Sequence, residues 1–173
     1  LAAACAVAPV QLAPQVLPAP LHSGFRVICL GAAQDAGLPH LGCEDERCQS
    51  ARAAGHREPV AALAVQAAGG WWLVDATPDL PEQIHRMGTM PQGILLTHAH
   101  VGHYTGLMYL GREGIAERRM PVYCSEKMAD FLTHNAPWSQ LVALENIVLL
   151  PFRAGDEIRL NPDLLVIPVE IPH

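Results

Sequence analysis

The sequence predicts an α/β fold in a single domain. Apolar runs typical of strands alternate with segments typical of helices along most of the 173 residues. Half of the residues are apolar, enough to fill a core, and the length suits one domain of about 100–200 residues. A hairpin signal is also present, because Ala68-Gly69-Gly70 separates two runs typical of strands.

The first half of the chain predicts four strands and one helix. Residues 25–30 form an apolar strand, and residues 60–66 and 71–74 form the antiparallel hairpin around the glycine turn. A short helix over 81–87 follows Asp79, which is a plausible N-cap. The apolar run 93–96 is the fourth strand.

The second half continues the alternation. Residues 104–115 carry apolar side chains at partly helical spacing, and 125–134 form a helix that Ser125 caps. The remaining apolar runs predict strands over 121–124, 147–150, 157–160 and 164–169.

Three histidines within six residues follow the strand 93–96, in the order Thr97-His98-Ala99-His100-Val101-Gly102-His103. In an extended segment, His98 and His100 point to the same side and can reach one cation at about 2.0–2.1 Å. His103 lies a turn later and can approach the same pocket from another direction. The cluster therefore predicts a metal site.

This segment resembles the signature His-X-His-X-Asp-His of the metallo-β-lactamase superfamily, except that Gly102 stands in the place of the aspartate. The likeness extends from about residue 25 to residue 173. Residues 27–52 and 75–80 are similar to the branch that contains a pyrroloquinoline quinone biosynthesis protein and phosphonate-pathway phosphodiesterases. The resemblance implies a four-layer αββα sandwich, of which 23–173 would form the first half and a little more.

The resemblance also implies roles for individual residues. His98 and His100 would hold one ion together with His173, which ends a strand-like segment, and a fourth position would stay open for water. Asp75 would support the histidine loop through hydrogen bonds, or it is an ordinary turn aspartate. Asp35 either faces the mouth of the site or serves a turn, and the turn is the favoured interpretation.

Gly102 sets the expected metal content. The family's aspartate at this position binds a second ion, and glycine has no side chain with which to do so. One strongly held ion is therefore expected, with a second at His103 weak or absent. Zinc is expected, and iron or manganese stay open because nitrogen ligands suit several metals.

A second metal site is predicted around Cys43 and Cys48, two of the five cysteines. In the same branch this loop often carries Cys-X-Cys-X-X-Cys around a structural zinc, and here Asp45 occupies the middle position. Asp45 and His40 would complete the ligand set, since zinc accepts S, N and O ligands. A disulfide and free thiols are the alternatives, whereas Cys29 and Cys124, within strands, are expected in the core.

Charge and the N-terminal segment limit the partners. Seventeen acidic against eleven basic residues give a net charge of −6 without a basic stripe, which argues against nucleic-acid binding. Residues 1–22 resemble the end of a secretory signal and a Pro-rich spacer, or an inconsequential leader. Their apolar part is too short to span a membrane. A periplasmic or secreted location is expected, with the cytoplasm as the alternative, and the sequence carries no indication of oligomeric state.

The function these features indicate is hydrolysis of a small ester, phosphodiester or related substrate by metal-activated water. Asp75 is the candidate catalytic residue in a supporting role. Two alternatives stay open. One is an oxidative metalloenzyme of quinone-cofactor biosynthesis, and the other is a non-catalytic member of the fold that binds a small molecule.

Overall fold

The computed structural model describes residues 24–172. Secondary structure within this range begins at β1 and ends at β8. In chain order the elements are β1 (Phe25–Gly31), α1 (Glu46–Ala54), β2 (Ala62–Ala67), β3 (Gly70–Val74), α2 (Leu80–Met87), β4 (Ile94–Leu95), two 3₁₀ helices (Val101–His103 and Thr105–Leu110), β5 (Met120–Ser125), α3 (Glu126–His134), α4 (Trp138–Ala143), β6 (Ile147–Phe152), β7 (Ile158–Asn161) and β8 (Leu164–Val166).

Six of the strands form one mixed sheet in the order β1-β2-β3-β4-β5-β6. The first three strands pair antiparallel, and β3, β4, β5 and β6 pair parallel. The carboxyl ends of β3, β4 and β5 therefore meet at the same edge of the sheet. Ligand sites of open α/β sheets lie beyond this edge, and the histidine loop follows β4 there.

The two faces of the sheet are covered differently. One face packs under the helices, in a core that includes Leu73, Ile94, Leu107 and Leu132. On the other face, Trp72, Leu95 and Tyr123 pack against the small β7-β8 hairpin through Leu164 and Leu160. The α/β class is confirmed, and the described residues provide a helical layer, a sheet and strands against its second face.

Two helices were not predicted, and one prediction was wrong. These two helices are α1 and α4. Residues 104–115 do not form an α-helix, because the ordered part is the 3₁₀ helix Thr105–Leu110. Leu107 and Leu110 are both fully buried, and the three-residue repeat of a 3₁₀ helix places both on one face.

Two side chains also differ from expectation. Cys29 is exposed rather than in the core, because this part of its sheet face is uncovered, and its register partner Leu63 on β2 is exposed as well. Asp79 precedes α2 but does not cap it with its side chain. Its buried carboxylate instead accepts from the Val60 N–H at 2.8 Å and pairs with Arg57. The predictions for Cys124, which is buried, and for Ser125, which caps α3 by accepting from the Met128 N–H, are confirmed.

No helix between residues 24 and 172 combines the length and the apolar character needed to cross a bilayer. The leader predicted over 1–22 and the predicted ligand His173 lie outside the described residues.

Candidate metal centre

Backbone hydrogen bonds join the loop after β3 to the histidine loop after β4. The Asp75 N–H donates to the Leu95 carbonyl at 2.9 Å, and the Ala76 N–H donates to the His103 carbonyl at 2.8 Å. The Gly106 N–H returns to the Ala76 carbonyl at 2.8 Å. A Cβ at Gly106 would overlap the Thr77 carbonyl oxygen, so only glycine permits this close approach.

Asp75 holds the centre of this junction. Its side chain is 7% exposed, and its φ of 67° lies in the left-handed region that non-glycine residues rarely adopt. The carboxylate accepts from the Thr97 N–H at 2.8 Å and from the Thr97 hydroxyl at 2.8–3.0 Å. One of its oxygens also lies 2.8 Å from Nδ1 of His103. Strained backbone held in place by such contacts is typical of functional sites.

These contacts determine the tautomers of two histidines. A carboxylate can only accept, so Nδ1 of His103 donates to Asp75 and the lone pair of a neutral ring is on Nε2. The Thr97 hydroxyl donates to Asp75 in the same way and accepts from Nδ1 of His98 at 2.8 Å. Asp75 therefore presents Nε2 of both rings as the metal-binding atom, the usual arrangement of metal-ligating histidines.

The three histidine rings converge. The ring centre of His98 lies 4.1 Å from that of His103 and 4.7 Å from that of His100. Among the described residues, one ligand atom each from Asp75, His98 and His103 lie within 4.8 Å of one another. His100 is beside this group rather than within it, and its side chain is 55% exposed. His173, the predicted third ligand of the first ion, lies outside the described residues.

Asp35 also reaches the centre, although the sequence favoured a turn role for it. Its Oδ1 lies 3.2 Å from Nε2 of His103, and its Oδ2 lies 3.9 Å from Nδ1 of His100. Asp35 and His103 are 68 positions apart in the chain, so no local sequence pattern predicts this contact. The one indirect signal in the sequence is the missing carboxylate at Gly102.

A second cluster lies at the start of α1. One ligand atom each from Cys43, Asp45 and Cys48 lie within 4.8 Å of one another, and both cysteines are free thiols. His40 reaches this cluster through its backbone, since its N–H donates to the Cys48 sulfur at 3.4 Å. Its imidazole is not among the atoms of the group.

Hydrogen bonds within this second cluster shift the pKa values of its side chains. The hydrogen bond with Cys48 is the main cause that raises the pKa of the Cys43 thiol to about 11. The hydrogen bond from Cys43 lowers the pKa of Asp45, with the Cys48 N–H as a further donor. The Asp45 carboxylate also caps α1 by accepting from the Cys48 N–H at 3.1 Å, and a metal ion bound at this cluster would have to displace the thiol protons.

A cleft of about 290 Å³ lies beside His98 and is lined by Thr97, Ser125, Lys127 and Phe131 among others. A neighbouring groove shares Thr97, Ser125 and Lys127 and adds Arg153. The Arg153 guanidinium donates to Glu126 at 2.8–2.9 Å, and this bond raises the pKa of Arg153. Lys127 lines both the cleft and the groove, whereas the carboxylates of Glu126 and Glu170 line the groove alone.

Curated proteins are similar to this chain in sequence. Coenzyme PQQ synthesis protein B of Bradyrhizobium diazoefficiens is 32% identical over 131 residues, which cover 68% of this chain and 41% of that protein. The protein of the same name from Ruegeria pomeroyi is 30% identical over 169 residues, covering 86% of this chain and 54% of that protein. The chain thus spans about half the length of these curated relatives.

Two solved structures resemble the fold. Zn²⁺-bound PqqB from Methylobacterium extorquens superimposes with a TM-score of 0.72 at 23% identity, covering 86% of this chain and 56% of that chain. A diphosphatase of the PhnP family gives a TM-score of 0.61 at 26% identity, covering 79% and 53%. The fold and the Asp75-histidine cluster together indicate metal binding.

Residues 70–173 match the family described as the beta-lactamase superfamily domain, and this stretch contains β3, Asp75 and the whole histidine loop. The chain therefore belongs to the β-lactamase superfamily of metallo-β-lactamase fold, and within it is similar to PQQ synthesis protein B.

Proposed function

We propose that the protein is a metal-dependent hydrolase that cleaves a small phosphodiester or related ester. The observation that carries this proposal is the Asp75 carboxylate, which holds Nδ1 of His103 directly and Nδ1 of His98 through Thr97, in two rings whose centres lie 4.1 Å apart. His98 and His100, with His173, are proposed to hold the first ion, and zinc is the proposed metal.

A divalent cation at this centre would lower the pKa of bound water from about 15.7 to about 7 and so supply hydroxide at neutral pH. The water oxygen would bond to phosphorus, the ester P–O bond would break, and the leaving alkoxide would take the proton. The contribution of Asp75 is to keep the rings oriented, because it accepts from His103 directly and from His98 through Thr97.

The cleft beside His98 supports an anionic substrate over a neutral one. Lys127 lines it, and Ser125 stands at the N-cap of α3, where backbone N–H groups favour negative charge. A phosphodiester monoanion would be attracted to this wall, whereas a neutral ester would gain nothing from Lys127.

The test uses the full-length protein, zinc analysis and hydrolysis of bis(p-nitrophenyl) phosphate. We expect His98→Ala to lose the ion of this centre and to lower kcat/KM by about 100-fold or more, since the ligand and the nucleophile are lost together. His134→Ala is the matched control, because His134 is an exposed histidine of α3 paired with Asp130. Full metal content and turnover in His98→Ala would contradict the proposal.

An oxidative function is the second candidate, and the similarity to PQQ synthesis protein B favours it. In that case the ion would be iron. Anaerobic purification followed by metal analysis would yield stoichiometric iron rather than zinc. Turnover would then appear with tyrosine-derived substrates under oxygen and not with phosphodiesters.

We also propose that Cys43, Asp45 and Cys48 hold a structural zinc, with His40 as the predicted fourth ligand. The support is the approach of the three ligand atoms to within 4.8 Å. The Arg52 guanidinium stabilises the loop by donating to the carbonyls of Cys43 at 2.6 Å and His40 at 2.9 Å. Thiolate ligands suit zinc, and a zinc ion would link this loop to the first turn of α1.

Cys48→Ser is expected to lower the zinc content by one equivalent and to lower the thermal midpoint of unfolding, because one thiolate and its loop constraint are lost. Zinc analysis and calorimetry of the full-length protein check this. Cys29→Ser is the control, since Cys29 is an exposed thiol outside the cluster. Equal zinc content in both variants would show that the cysteine cluster holds no ion.

A further inference from the structure

We infer that Asp35 is a ligand of a second cation, and that it supplies from the loop after β1 the carboxylate that position 102 lacks. This inference rests on the proposed metal centre. It replaces the expectation of a weak or absent second ion with a specific ligand pair, Asp35 and His103.

A side chain at position 102 has no space beside the loop of Asp35. A Cβ built on Gly102 would lie 2.6 Å from the Asp35 Cα and 2.7 Å from both its Cβ and its carbonyl oxygen. Gly102 is not among the residues of positive φ, so its backbone conformation does not require glycine. Glycine is required at position 102 because the loop of Asp35 occupies the volume that a side chain there would take.

The Asp35 carboxylate faces the histidine loop. The same loop that excludes a side chain at 102 points its carboxylate at two of the three histidines. Oδ1 faces Nε2 of His103 at 3.2 Å, and Oδ2 faces Nδ1 of His100 at 3.9 Å. Two ligands of a tetrahedral zinc with bonds of about 2.0–2.1 Å are about 3.3 Å apart. The Asp35 and His103 atoms already have that separation.

The two nitrogens of His103 face different carboxylates. Nδ1 lies 2.8 Å from Asp75, so the nitrogen that faces Asp35, at 3.2 Å, is Nε2. A histidine whose one nitrogen is held by a carboxylate commonly binds a metal ion through the other nitrogen. Asp35 therefore lies on the metal-binding side of this ring.

The loop is held firmly enough to present a ligand. The Ala33 N–H donates to the Pro59 carbonyl at 3.0 Å, before Asp35 in the chain. After it, Leu38 and Glu58 exchange two backbone hydrogen bonds at 3.1 and 2.8 Å. Asp35 therefore lies between two anchored points, and a ligand on a rigid support keeps its geometry.

A second ion beside the first would suit phosphodiester hydrolysis. Paired ions about 3.5–4 Å apart stabilise both the attacking and the leaving oxygen of an in-line displacement. Asp35 has one oxygen toward His103 and the other toward His100, so its carboxylate would contact a proposed ligand of each ion.

The experiment is zinc titration calorimetry of metal-stripped full-length protein, with the absorption spectrum of the cobalt-substituted form as a second readout. Asp35→Asn keeps the size of the side chain and removes its charge. We expect it to weaken the second ion of the histidine centre by about tenfold or more, to leave the first ion and the cysteine site unchanged, and to reduce the cobalt d–d bands accordingly. The metal-free variant should keep the wild-type thermal midpoint.

Asp130→Asn is the matched control, because Asp130 also lies beside a histidine nitrogen, His134 Nδ1 at 3.1 Å, but both are exposed on α3. Asp35→Ala, which cannot hydrogen-bond to His103, should reproduce the loss. A folded Asp35 variant of either kind that holds two ions with wild-type affinity would overturn this inference and leave the proposed hydrolase intact. A wild-type protein without any ion at the histidines would overturn the proposed function itself.

Discussion

Asp75→Ala should weaken zinc binding at the histidine loop by about 10–100-fold and lower the free energy of unfolding by about 2–4 kcal/mol. The metal effect is expected because Asp75 fixes the proton positions of His103 directly and of His98 through Thr97. The stability effect is expected because the Thr97 N–H and the His103 Nδ1–H lose their acceptor. Alanine is also unfavourable at a φ of 67°. Urea unfolding and zinc titration calorimetry measure the two effects.

Asp75→Asn separates orientation from backbone strain. Asparagine tolerates the left-handed region and fills the same volume, so the loss of stability should be smaller, about 1–2 kcal/mol. Asparagine has one accepting oxygen where aspartate has two, so it cannot accept all the hydrogen bonds from Thr97 and His103. The loss of zinc affinity should therefore persist. Wild-type zinc binding by Asp75→Ala would instead support the other interpretation of the sequence, an ordinary turn aspartate.

Gly102→Asp should damage the protein, although it restores the residue that the superfamily usually carries. The new Cβ would meet the Cα and carbonyl oxygen of Asp35 at 2.6–2.7 Å, and backbone atoms cannot rotate away as a side chain can. We expect the free energy of unfolding to fall by about 3 kcal/mol or more, at the upper end of what overpacking costs. The displaced loop should take the Asp35 carboxylate away from His103, so zinc at the second position should also be lost.

Val101→Asp is the control for this substitution. It places the same carboxylate one residue earlier in the same loop, at a side chain that is 58% exposed. Its unfolding free energy should stay within about 0.5 kcal/mol of wild type. A stable Gly102→Asp protein with more tightly bound zinc would show that the Asp35 loop yields easily and that Asp35 does not replace the family aspartate.

Local patterns predicted most strands and the histidine loop correctly. The glycine turn between β2 and β3, the apolar run that becomes β4, and the Ser125 cap of α3 all depend on residues close together in sequence. Short segments without strong periodicity were less predictable. The helix α4 is only six residues long, and the polar helix α1 begins in a loop interpreted for its cysteines.

Positions that depend on the place of an element in the sheet were not predictable. Cys29 lies in an apolar strand, but whether its side chain is buried depends on what covers its face of the sheet, and its partner Leu63 on β2 is exposed too. Asp79 precedes a helix, as a cap does, yet its carboxylate bonds to Val60, nineteen residues earlier. The location expected from residues 1–22 and the ligand expected at His173 stay predictions.

The sequence by itself determined that three histidines follow a buried strand and that Gly102, just before His103, carries no carboxylate. Both features can be read from neighbouring positions in the chain. Only the tertiary structure decided that Asp35 and Asp75, 68 and 28 residues away, meet opposite nitrogens of His103. The physical reason is that strand pairing and loop packing bring distant segments together, and the close approach of Asp35 to Gly102 has no periodicity along the chain.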